Sequence, residues 1–187
     1  MIVSATLPLG AVLRPLTEAD APALLDAYVR SRSHLRPYEP DRPESFYTLE
    51  GQRSRLAELV QKQENGEVLP CAMFSDDRVL GCATLRGITH GPVCDANLGY
   101  WVDAGFVRRG LASAAVEALC RIADEQLGLH RIVASTAPAN TASQAVLKRT
   151  GFEQFGYAHQ HLYIGGRWGD AVMFEKILND RPPPPPI

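Results

Sequence analysis

The sequence contains no apolar run that approaches the length of a membrane-spanning helix. Its first residues, MIVSATLPLGAVLRPL, lack the basic start and long apolar core of a secretory signal. Its four cysteines, Cys71, Cys82, Cys94 and Cys120, include no C-x-x-C pair, so zinc and dithiol redox motifs are not expected. Three of them sit among apolar neighbours and fit small buried residues. A reducing cytoplasm is the setting these absences favour. Long basic runs are also missing and the net charge is -2, which argues against bulk nucleic-acid binding but leaves room for a local basic pocket. No internal repeat and no domain linker stand out.

What is present is an ordinary globular composition: 187 residues, 45% hydrophobic and 21% charged, suited to one domain with a sizeable core. The pattern predicts the order β-α-α-β-β-β-α-β-α-β-β. AVLRPLTEADAPALLDAYVR reads as a strand and a helix, with Thr17 and Asp20 at the helix start. SHLRPYEPDRPES (33–45), rich in proline and charge, is expected to be an extended loop. TLEGQRSRLAELVQKQENG is a second helix. VLPCAMF and VLGCATLRGI flank the turn-rich SDDR as an antiparallel hairpin. Strand 96–103, a helix from Gly110 to Leu127, strand HRIVAST and a short helix capped by Asn140 follow. Two long strands meet at Gly165-Gly166, a pair suited to a type I′ turn. One domain is expected over 1–178, with 179–187 a proline-rich mobile tail.

GFVRRGLASAAVEAL (105–119) runs two arginines and a glycine into a helix that has no Ser, Thr, Asp or Asn cap. The first N–H groups of a helix are unpaired and carry partial positive charge, and Gly110 lets a ligand approach the backbone. Either water caps this helix or an anion does, and a phosphate fits best. A nucleotide P-loop is excluded because Leu111-Ala112 stand where Lys-Ser/Thr belong, and no G-x-G-x-x-G is present. A phosphate held without magnesium or nucleoside readout suits a carrier such as coenzyme A.

LGYWVD, FVRRGLAS, LGLHRI and NTASQAVLKRTGF, in this order and spacing, closely resemble the GNAT superfamily of acyl-CoA N-acyltransferases. Residues 107–112 resemble its Q/R-x-x-G-x-G/A loop, with Val107 departing and Gly110 and Ala112 matching. The loop at 33–45 and the segment GYAHQHLYIGGRWGDAVMF are similar to the ribosomal-protein-alanine N-acetyltransferase (RimJ/RimL-like) branch; Tyr38 replaces a Trp and Ala171 a His. The resemblance spans residues 10–178. It implies the α/β GNAT fold: a mixed, mostly antiparallel sheet of about seven strands flanked by about four helices, with a V-shaped splay between strands 96–103 and 130–136.

It further implies that the pantetheine arm of acetyl-CoA pairs with the backbone of Tyr100, Trp101 and Val102. The pyrophosphate would sit on residues Arg108, Arg109, Gly110, Leu111, Ala112 and Ser113, and Asn140 and Ser143 would also touch coenzyme A. An N–H near Val102 would stabilise the developing oxyanion. The tyrosine many members use as acid is replaced by Leu147; Ser143 matches the serine proposed as acid in the RimL-like branch and is the candidate acid, against a purely local role at its helix start. The branch carries a glutamate where this chain has Leu162. Glu39 is then the first candidate for binding or deprotonating the amine, against a solvated loop residue. His161, with its neighbour His159, is the second. His34 and Tyr38 are placed with Glu39 at the acceptor. No residue marks a covalent nucleophile, so direct attack of the amine on the thioester is expected.

Three functions follow. The first is acetyl-CoA-dependent acetylation of a protein N-terminal amine, with resemblance pointing to a ribosomal protein. The second keeps the chemistry with a small-molecule amine, and the third is a silent acyl-CoA-binding module. No metal, nucleic-acid or membrane partner is expected, and a homodimer is left open.

Overall fold

Eight strands, in the order β1-β2-β3-β4-β5-β6-β8-β7, make one sheet in a computed structural model that describes residues 4–183. The strands are β1 (Ala5–Thr6), β2 (Val12–Pro15), β3 (Val68–Ser75), β4 (Arg78–Arg86), β5 (Asp95–Val102), β6 (Arg131–Thr136), β7 (Glu153–Ile164) and β8 (Arg167–Ile177). Four helices are α1 (Ala21–Leu35), α2 (Leu49–Glu64), α3 (Leu111–Glu125) and α4 (Thr141–Arg149). Every strand pair is antiparallel except β5 with β6, the crossover that carries α3. The expected seven strands are all present. The eighth, β1, has two residues, too few for an alternating pattern to register.

Both faces of the sheet are covered. β3 and β4 are buried along almost their whole length, as a strand between two layers must be. One face packs Leu85, Ala96, Leu98 and Val102 against Leu111, Ala115 and Leu119 of α3. The other packs Ala72, Phe74 and Cys82, with Trp101, against Leu24, Tyr28 and Leu56 of α1 and α2. Alternation along β5 therefore sends Leu98, Tyr100 and Val102 towards α3, and Asn97, Gly99 and Trp101 towards α1 and α2.

Helix α1 extends to Leu35, into the stretch expected to be loop. Arg36, just before Pro37, still has helical φ and ψ of -46° and -39° and bonds to Arg32, so the helix carries His34 on its last turn. The chain then turns and forms a short 3-10 helix at Glu44–Tyr47. At the chain's other end, β7 and β8 meet at Gly165 and Gly166, whose φ values of 59° and 75° suit the expected turn. Asn179 donates to Asp124 Oδ1 and Arg181 also bonds that carboxylate, so the stretch after β8 begins against α3; its end, 184–187, lies outside the described residues.

The turn from β5 into α3 hangs on Asp103, which is 5% exposed. Its carboxylate accepts from Gly105 N–H (2.9 Å) and Arg30 Nε (3.1 Å), with Arg78 Nη2 at 3.6 Å. Burial alone would raise this carboxyl, but the Gly105 N–H and the two guanidiniums outweigh it and hold it below its ordinary value. Asp103→Asn is expected to cost about 1–3 kcal/mol at pH 7, because it leaves Arg30 without its charge partner. The folded value lies below the unfolded one of about 3.9, so this stability is present above pH ~4 and lost as pH falls through the folded value. Melting curves of the two proteins from pH 7 to pH 3 should converge at the acid end. A gap that is equally wide at every pH would contradict the assignment.

Candidate active site

β5 and β6 part company midway. Their parallel pairing runs only from Asp95↔Arg131 to Leu98↔Ala134. Beyond that point β5 stays with β4 as far as Gly81↔Val102, and β6 stays with β8 as far as Thr136↔Val172. The backbone groups of Gly99–Val102 that face away from β4 are thus left without a strand partner among the described residues. A cleft of about 880 Å³ opens there and reaches both faces of the sheet, from Arg108 and Ser113 on one side to Glu39 and Arg55 on the other.

The start of α3 forms one end of this cleft. Gly110, at the N-cap, has φ 80°, and Arg108 has φ 61°. No side chain caps the helix, and among the described residues no acceptor pairs with the N–H groups of Leu111, Ala112 or Ser113. Three converging donors at the positive end of a fifteen-residue helix fit a phosphate group. Phe106, Val107, Arg108, Gly110, Leu111, Ala112 and Ser113 line the cleft. Arg109 is not among the lining residues; its guanidinium lies 5.2 Å from the centroid of the Phe106 ring.

Across the opening, α4 presents Ser143. Asn140 Oδ1 accepts from Ser143 N–H at 3.1 Å, which caps the helix. The Tyr100 hydroxyl reaches from β5 to Ser143, 2.8 Å from Oγ and 3.1 Å from the carbonyl oxygen. Burial pushes the Tyr100 phenol up to about 12, against the opposing effect of the Ser143 hydrogen bond, so it keeps its proton at neutral pH. Leu147, which stands where an acid tyrosine was looked for, is fully buried. The tyrosine hydroxyl of this site arrives from the neighbouring strand instead. Strand alternation, which puts Tyr100 on the face of Leu98 and Val102, was the available signal.

The opposite half of the cleft holds His34, Tyr38 and Glu39, brought together by the last turn of α1 and the turn that follows. Its floor is an aromatic cluster: Tyr28 lies 4.9 Å from Trp101 and 4.8 Å from Phe46. Burial raises the Glu39 carboxyl, while Arg42, Arg55 and Arg86 pull it back. These three arginines also line the cleft and were missed in the sequence. Arg86 carried a signal, since it shares the face of Cys82 and Thr84 on β4.

His161 is not brought to the site. The β7–β8 register passes from Ala158↔Ala171 to Leu162↔Gly169, so residues 159–161 bulge outward against Asp170. Asp170 pins the bulge by accepting from Gln160 N–H and Tyr157 Oη, both at 2.9 Å. Leu162 and Ile164 line the cleft in its place, and His159 faces Asp170.

The model of the acetyltransferase (GNAT) domain family matches residues 11–153. A probable N-acetyltransferase of Bacillus subtilis, YjcK, is 34% identical over 169 residues, 89% of this chain and 93% of its own length. The ribosomal protein uS5-alanine N-acetyltransferase of Escherichia coli is 32% identical over 87% of this chain and 84% of its own length. Among solved structures, ribosomal-protein-S5-alanine acetyltransferase from Vibrio fischeri superposes with a TM-score of 0.91 at 30% identity, covering 95% of this chain and 98% of that one. RimJ of Mycobacterium smegmatis, solved in complex with CoA-disulfide, gives 0.86 at 29% identity, covering 89% and 81%.

All four cysteines are free and buried. Burial pushes the thiols of Cys71 and Cys82 up to about 12 and that of Cys120 to about 11, which keeps them protonated and unreactive. A chromogenic thiol reagent at pH 8 should therefore find no fast-reacting cysteine in the native protein and four after unfolding in guanidinium. A thiol that labels within seconds in the native state would contradict this and reopen covalent chemistry.

Proposed function

This chain belongs to the GNAT acetyltransferase family, and on that footing we propose that its acceptor is the N-terminal α-amine of a protein, a ribosomal protein being the class its relatives' names indicate. The enzyme is an acyl-CoA N-acyltransferase, and acetyl-CoA is its co-substrate. An acceptor of this kind places it in the cytoplasm. The relatives' names support the acceptor, and the observation that carries acetyl transfer is the parting of β5 and β6 beside the uncapped start of α3. Together they offer an open strand edge at Gly99–Val102 for an amide-bearing arm and free N–H groups at 111–113 for its phosphates.

Acetyl-CoA supplies the acyl group as a thioester. The chain's own residues then do four things. Leu111, Ala112 and Ser113 hold the phosphates through their N–H groups, with Arg108 nearby. The free edge of β5 fixes the arm and offers an N–H near Val102 to the carbonyl oxygen as negative charge grows there. Ser143 Oγ–H gives its proton to the leaving sulfur. Tyr100, 2.8 Å behind it, supplies the next proton and orients the serine.

The amine must be neutral to attack. An α-amino group has a pKa of about 8, so the base has little to do. Glu39 serves by gathering the ammonium and passing its proton to water. The buried, protonated cysteines support attack without a covalent thiol intermediate.

Free-thiol release from acetyl-CoA, measured with Ala- and Ser-starting peptides, a blocked lysine peptide and small aminoglycoside-like amines, tests the proposal. Turnover on the free N-terminal peptides is expected. Turnover on small amines alone would overturn the acceptor assignment, and acetyl-CoA binding without release on any amine would favour a silent module. Within the active enzyme, Ser143→Ala is expected to lower kcat by about 10²-fold with little change in acetyl-CoA affinity, and Tyr100→Phe to lower it less. Wild-type kcat in Ser143→Ala would remove the serine as acid.

A further inference from the structure

The charge of the cleft differs from that of the chain. Five arginines line it, Arg42, Arg55, Arg86, Arg108 and Arg149, against one carboxylate, Glu39, although the net charge of the sequence is -2. The sheet divides them. Arg108 and Arg149 lie towards α3 and α4, where coenzyme A phosphates account for positive charge. Arg42, Arg55 and Arg86 lie on the α1 and α2 face, where no part of the phosphates is expected.

Those three are poorly paired. Arg55 has only two long hydrogen bonds to neutral groups, Gln52 Oε1 and Tyr28 Oη, both at 3.4 Å. Arg86 has no carboxylate within 4.0 Å among the described residues. Arg42 reaches Glu39 only at 3.9 Å, and its Nε is buried with no hydrogen-bond partner. Arg14, by contrast, holds Asp20 through two short hydrogen bonds, at 2.7 and 2.9 Å. Three guanidiniums that share a single carboxylate, Glu39, without a close hydrogen bond to it are suited to a second anion brought by a ligand.

We propose that the acceptor carries a carboxylate close to its amine, held by Arg42, Arg55 and Arg86 while Glu39 faces the amino group. This rests on the acetyl-transfer reading of the same cleft and adds the acceptor's charge. Arg86 Nη1 lies 3.4 Å from where a side chain on Gly99 would begin, one residue before Tyr100. The anion site is therefore close to the strand edge where the amine must react. An extended peptide advances about 3.3–3.6 Å per residue, so the carboxylate belongs within the first few residues. It comes either from an Asp or Glu side chain near the N-terminus or from the free α-carboxylate of a very short acceptor.

Two C-terminally amidated peptides starting with Ala, identical but for Glu or Gln at positions two to four, separate the charge from everything else. A dipeptide with a free or amidated C-terminus tests the second source. Two readouts are used: kcat/KM from thiol release, and peptide affinity for the coenzyme A-saturated protein from tryptophan fluorescence. A preference of about 10- to 100-fold for the acid is expected, carried mainly by KM and reduced by salt. Arg86→Gln should narrow it, and Arg86→Glu should shift it towards a peptide with Lys in place of Glu. A preference confined to the dipeptides assigns the anion to an α-carboxylate. Equal kcat/KM and equal affinity for acid and amide in both arms would overturn the inference and leave acetyl transfer standing. Absence of thiol release with every amine would instead strike the transfer reading, and the affinities would still decide the charge preference.

Discussion

β5 cannot keep both of its neighbours past Leu98, and the site follows from which one it loses. β4 holds it through six paired positions to Val102, while β6 is held by β8 to Thr136. The pairing sacrificed is the parallel one, after four positions. Its lost hydrogen bonds leave a strand edge inside the protein, where an unpaired backbone group is costly unless water or a ligand satisfies it. Side chains keep the gap open from both sides. Tyr100 is tethered to Ser143 of α4, and Trp101 is held in the cluster of Tyr28 and Phe46.

The opening joins two faces that do different work. On the α3 face, an uncapped helix start and a left-handed Gly110 leave backbone donors free at the cleft. On the α1 and α2 face, Glu39 and three arginines line the cleft with charge. A reaction between a large anionic donor and a separate amine needs this arrangement: each enters from its own side and they meet where the sheet is split. Asp103 links the two, since it fixes the turn that aims α3 and is itself held by Arg30 of α1.

Much of this was legible in the chain. The hairpin, the crossover, the Gly110 helix start and the Asn140 cap each have local causes in turn and capping chemistry, and their order carried the family resemblance. What escaped notice depends on geometry that spacing does not encode. β1 is two residues long. His161 misses the cleft because it stands in the bulge beside Asp170, one residue off the face that Leu162 and Ile164 turn to it. Arg42 and Arg55, on a turn and on α2, meet Arg86 of β4 at the cleft only through the tertiary fold. Tyr100 was placed by its backbone, whereas its hydroxyl reaches across the split to Ser143.

The central claim is that a free strand edge and a free helix start bind acetyl-CoA together. Backbone hydrogen exchange with and without acetyl-CoA tests it at residue resolution. Slowed exchange is expected at the cleft-facing amides of 99–102 and at 111–113, with β6 changed little. Binding that leaves both segments exchanging as fast as before would contradict the account.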